Sequence, residues 1–220
     1  MYPPEIRADF KAQLLAEAAR MPAPVRRTET RRAWALVGAS VVIALAIFGW
    51  GGGLVLAGRP ADLVLGTSSG IAASAAAGLW LALHRRRSML GRSRAALLVV
   101  PGVLPLLVLV WKVLWSTRYA PGPDAWPGRS VAQCLLLGLM IGSAPLLALL
   151  FTRRRTDAIH PVVAGSSIGA AVGLVVALLL DLSCPLAGAA HVAWGHLLPL
   201  AVLSFAGALL GKMVLGPNAS

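Results

Sequence analysis

The chain has 220 residues, of which 58% are hydrophobic and only 13% are charged. Soluble domains carry a charged fraction of about 25%, so this composition argues against a soluble globular protein. Lys and Arg outnumber Asp and Glu by 20 to 8, which gives a formal net charge of +12. These basic residues lie between long apolar runs, a pattern typical of membrane proteins, and we expect no direct contact with nucleic acid.

Long apolar runs recur along the chain at intervals set by short polar segments. A helix needs about 20 predominantly apolar residues to cross the hydrocarbon core of a bilayer. Six such runs are present, at 34–57, 62–83, 95–115, 131–151, 159–182 and 192–214. They predict an all-α integral membrane protein, a six-transmembrane-helix bundle of three hairpins. The predicted domains are a 1–33 N-terminal segment, a 34–215 transmembrane domain and a 216–220 tail.

The distribution of Lys and Arg predicts the orientation of these spans. Nearly all of them precede the first span, lie between spans two and three or four and five, or lie close to the C-terminus. The exceptions are Arg59, Lys112, Arg118 and Arg129. Because cytoplasmic loops are enriched in Lys and Arg, both chain ends are predicted to be cytoplasmic (N-in/C-in), as in an inner (cytoplasmic) membrane protein.

Glycines four residues apart occur in most of the predicted spans. The pairs and triplet are Gly49 and Gly53, Gly66 and Gly70, Gly138 and Gly142, and Gly165, Gly169 and Gly173. This spacing puts the glycines on one helix face and lets two backbones approach closely. We expect intramolecular helix packing, with a homodimer through the Gly-rich helices as the alternative.

Groups that could perform catalysis or ion transport are scarce. No phosphate-binding loop, nucleophile elbow or zinc-protease motif is found, so an enzyme is not predicted. Transporters usually carry ionisable residues at mid-membrane depth. Here Asp62 and Asp181 fall at outer span ends, and Lys112 is expected to extend its side chain to the membrane interface.

Two cysteines and two histidines converge once the predicted topology is drawn. Cys134 begins span four, Cys184 follows span five, and His191 and His196 begin span six, all on the extracytoplasmic side. The thiols could form a disulfide in an oxidising compartment, or the four side chains could hold a soft metal ion such as zinc. Alternatively the thiols are packing residues and the histidines interfacial hydrogen-bonding groups. No cofactor is predicted apart from such a metal ion, and the four residues are the candidates for signal sensing.

The N-terminal segment contains a second recognisable pattern. Residues 4–20 are predicted to form a short helix between Pro4 and Pro22. Its apolar stripe consists of Ile6, Phe10 and Leu14, extended by Leu15 and Met21. Such a helix is marginal alone in water and would be stabilised in a groove of a partner protein. The alternative is a helix lying on the membrane surface.

Several of these features together resemble the NrsF-type membrane anti-sigma factors, negative regulators of extracytoplasmic-function (ECF) sigma factors. They are the Pro24-Val25-Arg26 step after the short helix, the six spans, the cysteine in span four, and Cys184-Pro185 followed by His191, Trp194 and His196. The chain is also similar to a myxobacterial light-response regulator of the same functional class.

The resemblance implies a mechanism and a partner. The cytoplasmic N-terminus would hold an ECF sigma factor at the membrane until an envelope, redox, metal or light-linked signal ends that hold. It also implies that the family's two signal-responsive cysteines correspond to Cys134 and Cys184. The alternative functions are a small multi-spanning transporter and a membrane thiol-redox protein.

Overall fold

The computed structural model describes residues 23–55, 60–83, 94–116, 130–154, 160–184, 186 and 188–215. The first five helices are α1 (Ala23–Trp50), α2 (Ala61–Leu83), α3 (Arg94–Ser116), α4 (Val131–Thr152) and α5 (Pro161–Ser183). The last span is continuous and consists of α6 (Ala189–His191), a π-helical segment (Val192–Leu197) and α7 (Leu198–Val214). No strand occurs in these described ranges.

Among the residues that the structure describes, six helical stretches are long and apolar enough to cross a membrane, which confirms the predicted number. They are Arg31–Trp50, Ala61–Leu83, Arg94–Trp115, Val131–Thr152, Pro161–Ser183 and Val192–Val214. The prediction for the partner-binding residues Ile6, Phe10, Leu14, Leu15 and Met21 lies outside the described residues.

The predicted end of the first span, at residue 57, is wrong. The helix ends at Trp50, and Gly52 (φ 102°) and Gly53 (φ 60°) then adopt the left-handed conformation that favours glycine. The chain continues extended, and the Val55 N–H donates to the Leu182 carbonyl at 3.0 Å. The predicted span extended past these glycines because it was based on hydropathy, and Leu54, Val55 and Leu56 are apolar.

Helix α5 is the centre of the bundle and is buried along most of its length. It packs against α2, α3, α4 and α7, whereas α1 packs mainly against α4. The core is aliphatic and includes Ile168, Leu174 and Leu180 of α5. Every other span except the first is therefore positioned by packing against α5.

The tightest helix pair is α5 with α7, and glycines make it possible. A Cβ atom on Gly165 would collide with the carbonyl oxygen of Gly207, and one on Gly169 with that of Leu203. On Gly173 it would lie 2.7 Å from the Leu200 Cα. The three glycines thus serve packing within the chain, as predicted. We call this contact the glycine seam.

Two further glycines of the predicted pairs are covered by aromatic rings of α3. Gly66 lies beneath Trp115 and Gly70 beneath Trp111, so neither has room for a side chain. By contrast, Gly49 and Gly53 have no atom within 4 Å of an added Cβ.

Contacts at the ends of the helices show which termini lie together. At one end, the C-terminal turns of α3 and α5 meet the N-terminal parts of α2 and α4 through Lys112, Asp181, Thr67 and the two cysteines. We call this the cysteine end. At the opposite end, the Arg153 guanidinium donates to the carbonyls of Ala82 (2.8 Å) and Leu83, which closes the C-terminus of α2.

The glycine seam predicts a large difference between two Gly→Ala substitutions. Gly169→Ala should lower the free energy of unfolding by about 1–3 kcal/mol, because the new methyl group must displace the backbone of α7. Gly49→Ala should be neutral or stabilising, since the added methyl group meets open space and Ala favours a helix. Unfolding of the detergent-solubilised chain by SDS titration, followed by circular dichroism, measures both. Equal stability of the two variants would contradict the seam.

Candidate sensing site

Cys134, Cys184, His191 and His196 form one compact cluster at the cysteine end. One ligand-type atom from each residue lies within 4.8 Å of those of the other three. Both cysteines are free thiols and 0% exposed, with 3.7 Å between their sulphur atoms. His191 Nε2 lies 3.3 Å from the Cys184 sulphur, and the two imidazole rings meet edge to face at 5.3 Å. The structure therefore brings together all four residues that the sequence placed on one face.

The π-helix explains how two histidines five residues apart can share this cluster. In an α-helix, residues five apart point about 140° away from each other. In a π-helix, hydrogen bonds run from residue i to i+5, so His191 and His196 lie one turn apart on the same side. Pro199 follows this segment and has no N–H to donate to the Gly195 carbonyl, which disfavours regular α-helical bonding there.

Gly195 lets the last span approach α4 at this point. A Cβ atom on Gly195 would lie 3.2 Å from the Cys134 Cβ and 3.4 Å from His191 Nε2. Cys134 belongs to the first turn of α4, which Ser130 and Gln133 fix with a reciprocal capping box. A larger residue at position 195 would separate the histidines from the Cys134 thiol.

Hydrogen bonds in the cluster favour a thiolate at Cys184. Several contacts together lower the pKa of Cys184 to about 3: the hydrogen bond with the Cys134 thiol is the largest cause, and contacts with His196 and the Leu186 N–H act in the same direction. Burial acts against them. His196 is 2% exposed, and its Nε2 has no hydrogen-bond partner.

A buried ion pair lies beside the cluster, and the sequence-based expectation for it is wrong. Lys112 does not reach the membrane interface; it is 2% exposed and forms a salt bridge with Asp181, which is 0% exposed. The second carboxylate oxygen of Asp181 accepts hydrogen bonds from Thr67 Oγ1 (2.9 Å) and Ser68 Oγ (2.8 Å). Three helices, α2, α3 and α5, thus meet at one carboxylate.

Aromatic packing holds Lys112 in this inward position. Trp111 and Trp115, on the same face of α3, lie over Gly70 and Gly66 of α2, and the Trp111 indole N–H donates to the Gly66 carbonyl at 2.7 Å. Because this face of α3 is fixed on α2, the lysine one residue after Trp111 points towards α5. Asp181 and Cys184 lie three residues apart at the end of α5, so the ion pair adjoins the thiols.

Sequence reasoning missed the role of Thr67, Ser68, Lys112 and Asp181. A signal was present: a basic and an acidic residue stand near the same predicted end of two apolar spans, and an uncompensated charge there is costly. Each side chain could instead have extended separately to the membrane interface. Only helix packing distinguishes that arrangement from a buried ion pair.

The described residues form an all-helical protein with six helices long and apolar enough to cross a membrane, and with a thiol–imidazole cluster and a buried ion pair at one end. Residues 15–216 match the family NrsF, described as negative regulator of sigma F. The chain therefore belongs to the NrsF family, which is a family of sigma-factor regulators rather than of enzymes. No curated protein and no solved structure matches it.

The ion pair predicts an asymmetry between single and double substitutions. Lys112→Met should lower the free energy of unfolding by about 3–5 kcal/mol, because it leaves the Asp181 carboxylate buried without a counter-ion. The double variant Lys112→Met/Asp181→Leu should recover most of that loss, since no unpaired charge remains. Lys212→Met, at an exposed site on α7, is the matched control. Detergent-phase unfolding measures all three, and a Lys112→Met effect no larger than that of the control would contradict a structural ion pair.

Proposed function

We propose that this chain is a membrane-bound anti-sigma factor of the bacterial cytoplasmic membrane. In this proposal, residues 1–33 hold an ECF sigma factor on the cytoplasmic side. The cluster of Cys134, Cys184, His191 and His196 senses an envelope, redox, metal or light-linked signal on the other side. The family match over residues 15–216 is the observation that carries the proposal, because it supplies negative regulation of a sigma factor.

The position of the described basic residues supports the proposed orientation. Arg31 and Arg32 begin the first span, Arg94 begins α3, Arg153 and Arg154 follow the end of α4, and Lys212 lies in the last turn of α7. All of these helix ends are opposite the cysteine end. By the positive-inside rule the cysteine end then faces the extracytoplasmic side in this proposal.

The proposed tether is the 1–33 segment, because the described remainder is almost entirely membrane-spanning helix. An amphipathic helix with Ile6, Phe10 and Leu14 on one face is suited to a groove on a partner. Holding a sigma factor away from core RNA polymerase requires only such a contact, and neither a catalytic group nor a bound nucleic acid is needed.

Release requires a connection between the two faces of the membrane, and α5 is suited to provide it. Its 23 residues extend for about 34 Å, from Pro161 beside Gly211 to Asp181 and Cys184 at the cysteine end. A change at the cluster acts directly on the end of α5 and on the last span. Both helices meet again along the glycine seam, whose far end lies at the cytoplasmic side in the proposed orientation.

A thiol-redox protein is the second candidate, favoured by the 3.7 Å separation of the Cys134 and Cys184 sulphurs. It predicts that these thiols cycle between reduced and disulfide forms while a substrate is turned over. The buried Lys112–Asp181 pair does not favour the transporter alternative in the same way. Both carboxylate oxygens are bound by side chains, and both charged residues are shielded from solvent.

The tether is tested with full-length variants and the ECF sigma factors of the source organism as candidate partners. Phe10→Ala and Leu14→Ala should each weaken the complex by about 2 kcal/mol, because each removes an apolar anchor. That free energy corresponds to a dissociation constant about 30-fold higher. Lys11→Gln, a charge off the apolar stripe, should leave binding nearly unchanged. Binding is measured with the chain in nanodiscs, and repression with a sigma-dependent reporter.

Deletion of residues 2–22 provides the decisive outcome for this proposal. Loss of both sigma binding and repression, with the truncated chain still present in the membrane, is expected. Repression that persists without this segment would show that the sigma factor is held elsewhere or not at all.

A further inference from the structure

We infer that Cys134, Cys184, His191 and His196 bind one Zn²⁺ ion in a closed tetrahedral site. Two thiolates and two imidazoles are a common donor set of structural zinc sites. Since all four ligands come from the protein, no position is left open for a substrate, which distinguishes such a site from a catalytic one.

Two distances in the cluster are close to those of a tetrahedral site, and all four ligand atoms lie within 4.8 Å of one another. With Zn–S near 2.3 Å and Zn–N near 2.05 Å, tetrahedral geometry places the two sulphurs about 3.8 Å apart and a sulphur and a nitrogen about 3.6 Å apart. The observed Sγ–Sγ distance is 3.7 Å, and the distance from Cys184 Sγ to His191 Nε2 is 3.3 Å. Only small side-chain shifts separate this arrangement from coordination.

An unpartnered nitrogen independently points to a missing ligand. His196 is 2% exposed, and its Nε2 has no hydrogen-bond partner. A buried polar atom without a partner destabilises a fold. Coordination of a metal ion by this imidazole, within reach of both sulphurs, would remove that penalty.

The local backbone also serves the four ligands. The π-helix places His191 and His196 on one side, and Gly195 between them leaves room for Cys134. π-Helical turns are rare and are frequently found at functional sites. The Leu186 N–H donates to the Cys184 sulphur, as outer hydrogen bonds commonly do for metal-bound ligands.

Charge favours a divalent ion, and the set of two thiolates and two imidazoles favours zinc among the divalent ions. Two thiolates and one divalent cation sum to zero, and a neutral unit is the form that a buried position inside a membrane bundle tolerates best. A monovalent ion such as Cu⁺ would leave a net negative charge beside Asp181. Zn²⁺ binding requires both thiols to lose their protons to solvent, and the ion itself undergoes no redox change.

The zinc site deepens the proposed function. Its role as the signal sensor rests on that function, but the binding of zinc can be tested independently of it. The full-length chain is purified in detergent without chelators and with thiols protected from oxidation. One zinc per chain is expected by elemental analysis. Exchange with Co²⁺ should give thiolate-to-cobalt charge-transfer bands and the intense d–d bands of tetrahedral cobalt. X-ray absorption should show two sulphur and two nitrogen neighbours.

Variants test the donor set. Cys184→Ser and His196→Gln should each raise the dissociation constant for Co²⁺ by at least about tenfold. His160→Gln, a histidine at the opposite end of the bundle, is the control and should retain full zinc. Since a ligand variant could fail to fold, alkylation of the wild-type thiols is measured as well. Cys134 and Cys184 should react only after the zinc is removed by a strong chelator.

Any one of three results would overturn the inference. The first is a reduced chain that holds less than about one-tenth of a zinc ion per chain and gives no cobalt bands. The second is full zinc in the Cys184→Ser and His196→Gln variants, and the third is a Cys134–Cys184 disulfide in unstimulated membranes. The sigma-dependent reporter separates the two proposals. Zinc bound by a chain that does not repress contradicts the proposed function alone, and repression by a chain that never holds zinc contradicts the metal site alone.

Discussion

The Lys112–Asp181 pair is the constraint around which the cysteine end is arranged. Neither charge could remain buried among apolar helices without the other, since an isolated ion in such surroundings is strongly destabilising. Because Lys112 belongs to α3 and Asp181 to α5, the pair fixes the axial position of one helix relative to the other. The hydroxyls of Thr67 and Ser68 add α2 to the same arrangement. Cys184 lies less than one turn beyond Asp181, so the position of its thiol is set by this pair.

Close backbone packing fixes the second half of the cluster. Inside a bilayer the lipid tails are as apolar as leucine, so helices associate through van der Waals contact and hydrogen bonds rather than through the hydrophobic effect. The glycine seam provides such contact between α5 and α7, and α7 continues directly from the π-helix that carries His196. The distance between the cysteines and the histidines therefore depends on a packing surface along the whole length of α5.

The sequence predicted the six spans and the convergence of the two cysteines and two histidines, because both follow from hydropathy and alternating direction. It could not predict the details that give the site its chemistry. The π-helix depends on how Pro199 and Gly195 are accommodated against Cys134, and no periodicity in the sequence reports that. The inward position of Lys112 depends on two tryptophans lying over two glycines of another helix. The end of α1 at Gly52 and Gly53 was not predicted, because apolar residues surround these glycines in the sequence. Each of these outcomes is decided by tertiary packing.

These constraints indicate how a change at the cluster could be transmitted. Each hydrogen bond of a π-helix encloses one more residue than that of an α-helix. Conversion of the π-helix to α geometry would therefore rotate the preceding turn relative to α7 by about 100°. His191 would then leave the side of the helix that His196 occupies. The reverse movement, rotation of α7 itself, is opposed by the glycine seam, where no atom can be added to Gly165 or Gly169 without collision. The side chains of the cluster belong to α4, α5 and the last span, so their mutual contacts favour the π form. A change at the cluster would therefore act on the π-helix, while the seam holds α7 against α5.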